Sequence, residues 1–170
     1  KKLRVLTGET FWLSETPSIP SIGWDAALNR VATVGVFKII SSNKKLIVYN
    51  THFDHIGIQA REKSVTVILN HIKDNDFINN ATVVMGDLNA EPSDAPIKLL
   101  AENLEDSFNF FPIEKPFGTF SGFDLESKLL NRIDYIFTKN IEVIDYRHIQ
   151  KRLPNKLWPS DHLPIFISIN

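Results

Sequence analysis

The chain has 170 residues, enough for one domain with a sizeable core, and its 43% hydrophobic and 23% charged residues describe a globular rather than a disordered protein. Its 19 Lys and Arg against 20 Asp and Glu leave a net charge of -1, so no global basic field points to nucleic acid. The cysteine count of 0 excludes disulfide frameworks, thiol nucleophiles and Cys-ligated zinc or iron–sulfur sites, leaving Asp, Glu, Asn and 5 His as candidate metal ligands.

No apolar run approaches a membrane span, and no repeat, low-complexity stretch or linker divides the sequence. No signal peptide opens the chain, and residue 1 is Lys rather than Met. The sequence is therefore expected to continue a longer parent cut upstream, and the compartment is not legible.

In chain order, KKLRVLTGETFWLS reads as a strand leading into a loop. Arg30 to Ile40 and Lys45 to Phe53 are β-rich runs joined by SSNK, a hairpin signal. In the second run Leu46, Val48, Asn50 and His52 share one face by the period of two. A helix is expected from about Gln59 to Lys73, where Val65, Ile68, Leu69 and Ile72 form a core stripe. His71 on this helix reads as a solvated or packed residue and no more.

Thr82 to Met85 is a short strand ending in Gly86-Asp87-Leu88-Asn89, and Ser93 or Asp94 can cap a second helix running to about Glu102. From Asp106 to Leu130 the chain is rich in Phe and Gly, carries Pro112 and Pro116, and reads as a long irregular loop. Arg132 to Thr138 and Ile141 to Ile149 are strands around a Lys139-Asn140 turn. Ser160-Asp161-His162 then leads into a last strand, LPIFISI. A mixed α/β sandwich with loops at one end follows.

Polar residues of catalytic type collect at strand ends: His52, Asp54 and His55; Asp87 and Asn89; Asp161 and His162. Asp134 differs, lying inside RIDYIFT opposite Ile133, Tyr135 and Phe137. An acid in an apolar strand is costly without a partner. A histidine suits, because the carboxylate fixes the ring tautomer and raises the basicity of the other nitrogen; His162 is the expected one. Arg30 could meet a phosphate as a fork of donors or form a surface ion pair. Trp12, Trp24 and Trp158 are read as core packing before ring stacking.

The ordered set THFDH, GDLN, RIDYIF and SDH, with GETFWLSETP and NRVATVGVFK upstream, resembles the endonuclease/exonuclease/phosphatase superfamily, here its C-terminal two-thirds. The resemblance implies a deoxyribonuclease I-like four-layer α/β sandwich of mostly antiparallel and mixed sheets, a single domain over 1–170 missing its N-terminal part. It implies a metal-dependent phosphoesterase acting by in-line attack of water, either nuclease or phosphatase. His162 would be the catalytic histidine, as base or proton partner of the phosphate, and Asp134 would orient it. Asp87 would align or activate the nucleophile, Asn89 would bond a phosphate oxygen or the water, and His52 would stand on the leaving side. Asp161 would help hold Mg²⁺ or Mn²⁺.

The implied partner is a phosphate ester: nucleic acid, nucleotide, phosphoinositide or phospholipid head group. The protein is expected to be a monomer without a membrane span. The family also uses an Asn and a metal-binding Glu on earlier strands; no such motif precedes THFDH, and Glu9 and Glu15 stand in the wrong surroundings to replace it. The 170 residues alone are therefore expected to be poorly active. Two other readings compete. One is a catalytically incomplete binding module of the same fold. The other is a zinc hydrolase of metallo-β-lactamase type, suggested by THFDHIG but short of a ligand at Asn50.

Overall fold

The computed structural model describes residues 2–111 and 118–170. The first three strands, β1 (Leu3–Trp12), β2 (Val31–Ile39) and β3 (Lys45–His52), form an antiparallel meander. The β2–β3 connection is the expected tight turn: the Asn43 N–H donates to the Ile39 carbonyl, and Asn43 takes the left-handed φ of 61° that Asn tolerates.

Helix α1 (Ile58–Asp74) then carries the chain across one face, so that β4 (Ala81–Asp87) returns parallel to β3. After α2 (Ala95–Ala101) and the two-residue β5 (Glu105–Asp106), strand β6 (Asp134–Lys139) lies antiparallel to β4, giving the sheet order β1-β2-β3-β4-β6-β5. The Lys139-Asn140 turn leads out of this sheet into a second one of two strands, β7 (Val143–His148) and β8 (Ile165–Ile169).

Alternation along the strands assigns each face its partner. Val34, Val36, Ile47, Tyr49, Val84, Tyr135 and Phe137 point to α1 and α2, where Val65, Ile68, Ile72, Ile97 and Leu100 meet them. Each such buried side chain contributes about 1.5–3 kcal/mol. On the opposite face Leu46, Val83 and Ile136 pack with Ile165 and Ile167 of β8. Helices, large sheet and small sheet are three layers of the expected sandwich. Trp158 is buried with Leu129 and Leu163, its indole N–H bonded to the Asp124 carbonyl, as core packing predicts.

Some expectations change. Asp94 occupies the position before α2, but its carboxylate accepts the Glu91 N–H at 2.8 Å instead of capping the helix. Asp134 is the first residue of β6 rather than an interior one. The Ile133 and Asp134 N–H groups donate to the Thr119 hydroxyl, which ends the ladder there. Arg132 pairs with buried Asp106 at 2.8 Å and stacks on Tyr135, which leaves Asp134 to its expected partner, His162. His71 is packed, not solvated: it lies between the Tyr49 hydroxyl at 2.8 Å and Glu9 at 3.1 Å, stacked on Phe11. The 106–130 stretch is largely irregular where described, with 112–117 outside the described residues.

Gly86 is the tightest point of the large sheet. Its φ is +141°, and a Cβ there would run into the Thr51 carbonyl of the neighbouring strand. Gly86→Ala should destabilise the fold by about 3 kcal/mol or more, since neither the dihedral nor the space suits a side chain. Urea denaturation measures this; a midpoint within error of the parent would contradict the constraint.

Candidate active site

Strand register assembles the site. His52 is the cross-strand partner of Asp87 in the β3–β4 pair, and Asp87 is the partner of Asp134 in the β4–β6 pair. One row at one end of the sheet therefore carries an imidazole and two carboxylates, about 4.8 Å apart from strand to strand. All three point to the face that β8 covers, since they continue the alternation of Val48, Val83 and Ile136. The Ser160-Asp161-His162 segment enters β8 at this edge and adds a second imidazole.

The side chains connect in sequence. His162 Nδ1 lies 2.8 Å from Asp134 Oδ2, and His162 Nε2 lies 3.8 Å from Asp87 Oδ2. The same Asp87 oxygen is 3.2 Å from His52 Nε2. Asp87 Oδ1 accepts the backbone N–H of Asn89, which takes the left-handed region at φ 47°. The Asn89 amide in turn donates to the Phe53 carbonyl at 3.0 Å, fixing the side chain beside the row. The backbone carbonyl of Asp161 accepts from Ser121 N, Ser121 Oγ and Gly122 N, while its carboxylate accepts the Ser160 hydroxyl.

These contacts push neighbouring pKa values in different directions. For Asp87 burial works against the charge, but the His52 hydrogen bond, the Asn89 N–H and the two imidazoles outweigh it, so the carboxyl lies below its ordinary value. For Asp134 burial dominates and raises the carboxyl, against the Thr119 and His162 hydrogen bonds. For His162 burial disfavours the imidazolium, yet the Asp134 hydrogen bond and the charges of Asp134, Asp87 and Asp161 lift it above the ordinary 6.5. A proton held by the Asp134–His162 pair beside an ionised Asp87 is the division of labour that acid–base chemistry needs.

The structure thus brings together His52, Asp87, Asn89, Asp134 and His162, with Asp161 adjoining. Arg30 makes its contacts outside this row: its Nε lies 3.4 Å from Asp54 Oδ2 and one Nη 3.1 Å from His55 Nδ1. Asp54 is buried; burial alone would raise it, but backbone N–H groups of Gly57, Ile56, Ala27 and Leu28 hold it well below the usual carboxylate range. Asp54 is therefore a loop anchor, and THFDH does not form the zinc arrangement that the metallo-β-lactamase reading requires. Trp12 and Trp24 are half-buried, and Glu9 and Glu15 are engaged by His71 and the Trp24 N–H.

The sequence reading passed over Thr119 and Phe120. Thr119 is buried under Asp134, and Phe120 pairs with His162 in an isolated β-bridge, with ring centroids 5.0 Å apart. A Thr in a Phe- and Gly-rich loop carries no spacing signal that could have marked it.

Carboxylate and amide oxygens are the donors Mg²⁺ and Mn²⁺ prefer. Among the described residues, however, no group of three or more His, Asp or Glu could by itself hold a metal ion. Among them, too, no helix is long and apolar enough to cross a membrane.

The family description "Endonuclease/Exonuclease/phosphatase family" matches residues 9–162. A conserved protein of unknown function from Enterococcus faecalis is 34% identical with a TM-score of 0.92, the match covering 99% of this chain and 67% of that one. A mannosyl-6-phosphatase from Bacteroides thetaiotaomicron is 30% identical with a TM-score of 0.88, over 99% of this chain and 67% of that one. An uncharacterised protein of Acanthamoeba polyphaga mimivirus is 29% identical over 92% of this chain, which spans 62% of that relative's length. The human nocturnin catalytic domain, at 19% identity and a TM-score of 0.74 over 99% of this chain and 60% of that one, shares the fold. Since the matched segment contains the whole row from His52 to His162, the chain belongs to the endonuclease/exonuclease/phosphatase family.

Proposed function

We propose that these residues form the catalytic edge of a phosphoesterase that hydrolyses its substrate by in-line attack of water. The observation that carries the reading is the 2.8 Å Asp134–His162 pair facing Asp87 across the strand register. With Nδ1 committed to Asp134, His162 presents Nε2 toward Asp87, and a water between them would lose its proton to His162. Asp87, held ionised, positions that water. Asn89 donates its amide N–H to a phosphate oxygen or bonds the water, and His52 is the proton donor on the leaving side. Arg30 has five N–H donors and uses two on Asp54 and His55, so it stays the proposed cation for a phosphate oxygen.

The donor set fits a divalent ion shared with the substrate rather than one caged by these residues, since Mg²⁺ is commonly held by one or two carboxylates plus phosphate oxygens and water. Asp161 is the proposed ligand, supplemented by the Glu that the family resemblance implies outside these residues. Such an ion supplies neutralisation of the charge that builds on the phosphate oxygens. A phosphate monoester on a sugar is the substrate class favoured, because the mannosyl-6-phosphatase is among the relatives with about a third of positions identical.

Phosphate release from mannose 6-phosphate and hydrolysis of bis-p-nitrophenyl phosphate test the proposal. In the longer protein that the family resemblance implies, Asp134→Asn and His162→Ala should each lower the rate by about 10²–10⁴-fold with the fold intact. A rate near that of the same protein without the substitution would sink the assignment. Chelation should abolish turnover and added Mg²⁺ or Mn²⁺ should restore it; turnover indifferent to chelator would remove the cation from the proposal. Absence of turnover with every metal in that longer protein, together with retained phosphate binding by calorimetry, would favour the binding-module reading.

The pH dependence has a defined sign. A base must be neutral, so protonating His162 stops the reaction. Because its folded pKa lies above the ordinary 6.5, the rate should fall as pH drops through that raised value, placing the acid limb above pH 6.5. Asp134→Asn removes the partner that retains the proton, so the residual activity should show its acid limb at lower pH. An unmoved acid limb would assign it to another group.

A further inference from the structure

Asp134 can orient His162 only if something orients Asp134, and the first residue of a strand lacks the ladder on one side to do so. The surrounding hydrogen bonds supply the missing constraint from the segment 118–122, a stretch that sequence patterning leaves unmarked. Thr119 is fully buried, and its Oγ1 accepts the N–H of Ile133 and the N–H of Asp134, each at 3.1 Å. A hydroxyl has two acceptor sites and one proton. Both acceptor sites are thus taken by the backbone of the Asp134 unit, which leaves the hydroxyl proton for the Asp134 carboxylate, whose charged form the Thr119 side chain favours.

The same short segment grips the other half of the pair. The Thr119 carbonyl accepts the Leu163 N–H at 2.7 Å, and Phe120 forms the isolated bridge to His162. The Thr119 N–H is anchored on the Asn131 carbonyl at 2.8 Å. One residue therefore ties the chain before β6 to the chain before β8, where the two members of the pair reside.

We propose that Thr119 is a positioning residue of the site, its hydroxyl setting the Asp134 carboxylate at the distance and angle that His162 Nδ1 requires. It acts through Asp134 and touches no reacting atom. The inference rests on the reading of Asp134 and His162 as a functional pair, and it adds the residue that holds them in register. A purely space-filling Thr119 would be replaced without loss by Val, which has the same shape; a positioning hydroxyl would be replaced only by Ser.

The test uses the 170-residue chain with ¹⁵N-labelled histidine and follows the low-field Nδ1–H resonance of His162, assigned by its loss in Asp134→Asn. Thr119→Ser should keep this resonance. Thr119→Val should lose it or move it upfield toward a free imidazole, while methyl dispersion reports an intact core. If the Val variant does not fold, Thr119→Ala replaces it, because Ala leaves room for a water to satisfy the two N–H groups. A wild-type resonance in the folded Val or Ala variant would overturn the proposal, as would its loss in a folded Ser variant. Absence of the resonance in the unsubstituted chain would instead refute the Asp134–His162 pair itself, a failure separate from that of Thr119.

Discussion

The site depends on the parallel pairing of β3 with β4. That pairing sets His52 beside Asp87, and the antiparallel return of β6 then sets Asp134 on the other side. Parallel neighbours need a long crossover, and α1 supplies it by burying Ala60, Ser64, Val65, Ile68 and Ile72 on the sheet. The close approach at the end of the pair has a consequence at Gly86, where the Thr51 backbone occupies the place of a side chain. A slip of one residue in either pairing would turn the catalytic groups to the helix face. Hydrophobic alternation prevents this, since the same slip would take Ile47, Tyr49, Val84 and Phe137 out of the core under α1 and α2.

Three carboxylates and two imidazoles at one edge form an unstable arrangement unless their charges are apportioned. Asp87 is kept ionised by the imidazoles and by the Asn89 N–H. Asp134, raised by burial, pairs with His162 Nδ1 at 2.8 Å. Their coupling makes the titration a property of the pair rather than of either residue. The chain's overall charge of -1 gives no hint of this local concentration. Neutral composition and a charged site coexist because the charges that matter are gathered by folding.

Much of the fold was legible because the periodicities are strong. The β2–β3 hairpin, the α1 stripe and the terminal strand each follow from spacing of apolar residues, and their boundaries fall within about two residues of expectation. Less was legible where local signals conflict with tertiary contacts. Asp94 has the identity of a helix cap, yet its carboxylate is taken by Glu91 N–H. The helix pattern left His71 open between solvent and packing, and Tyr49 and Phe11 of the neighbouring strands enclose it. Nothing in the spacing announces the buried pair of Arg132 with Asp106, which meet only when β5 is placed beside β6.

The sequence by itself marked the candidate site residues, because Asp, Asn and His collect at the ends of apolar runs and their order along the chain resembles one family. It also determined the faces of each strand, through the period of two. Only the tertiary structure decided which of these groups meet. The Asp134–His162 contact joins the first residue of β6 to the segment that precedes β8, Arg30 is drawn to Asp54 and His55, and Thr119 lies under Asp134 from a loop with no periodicity. Such contacts depend on which elements pack side by side, and a side chain's identity does not specify its neighbour across a sheet or between layers.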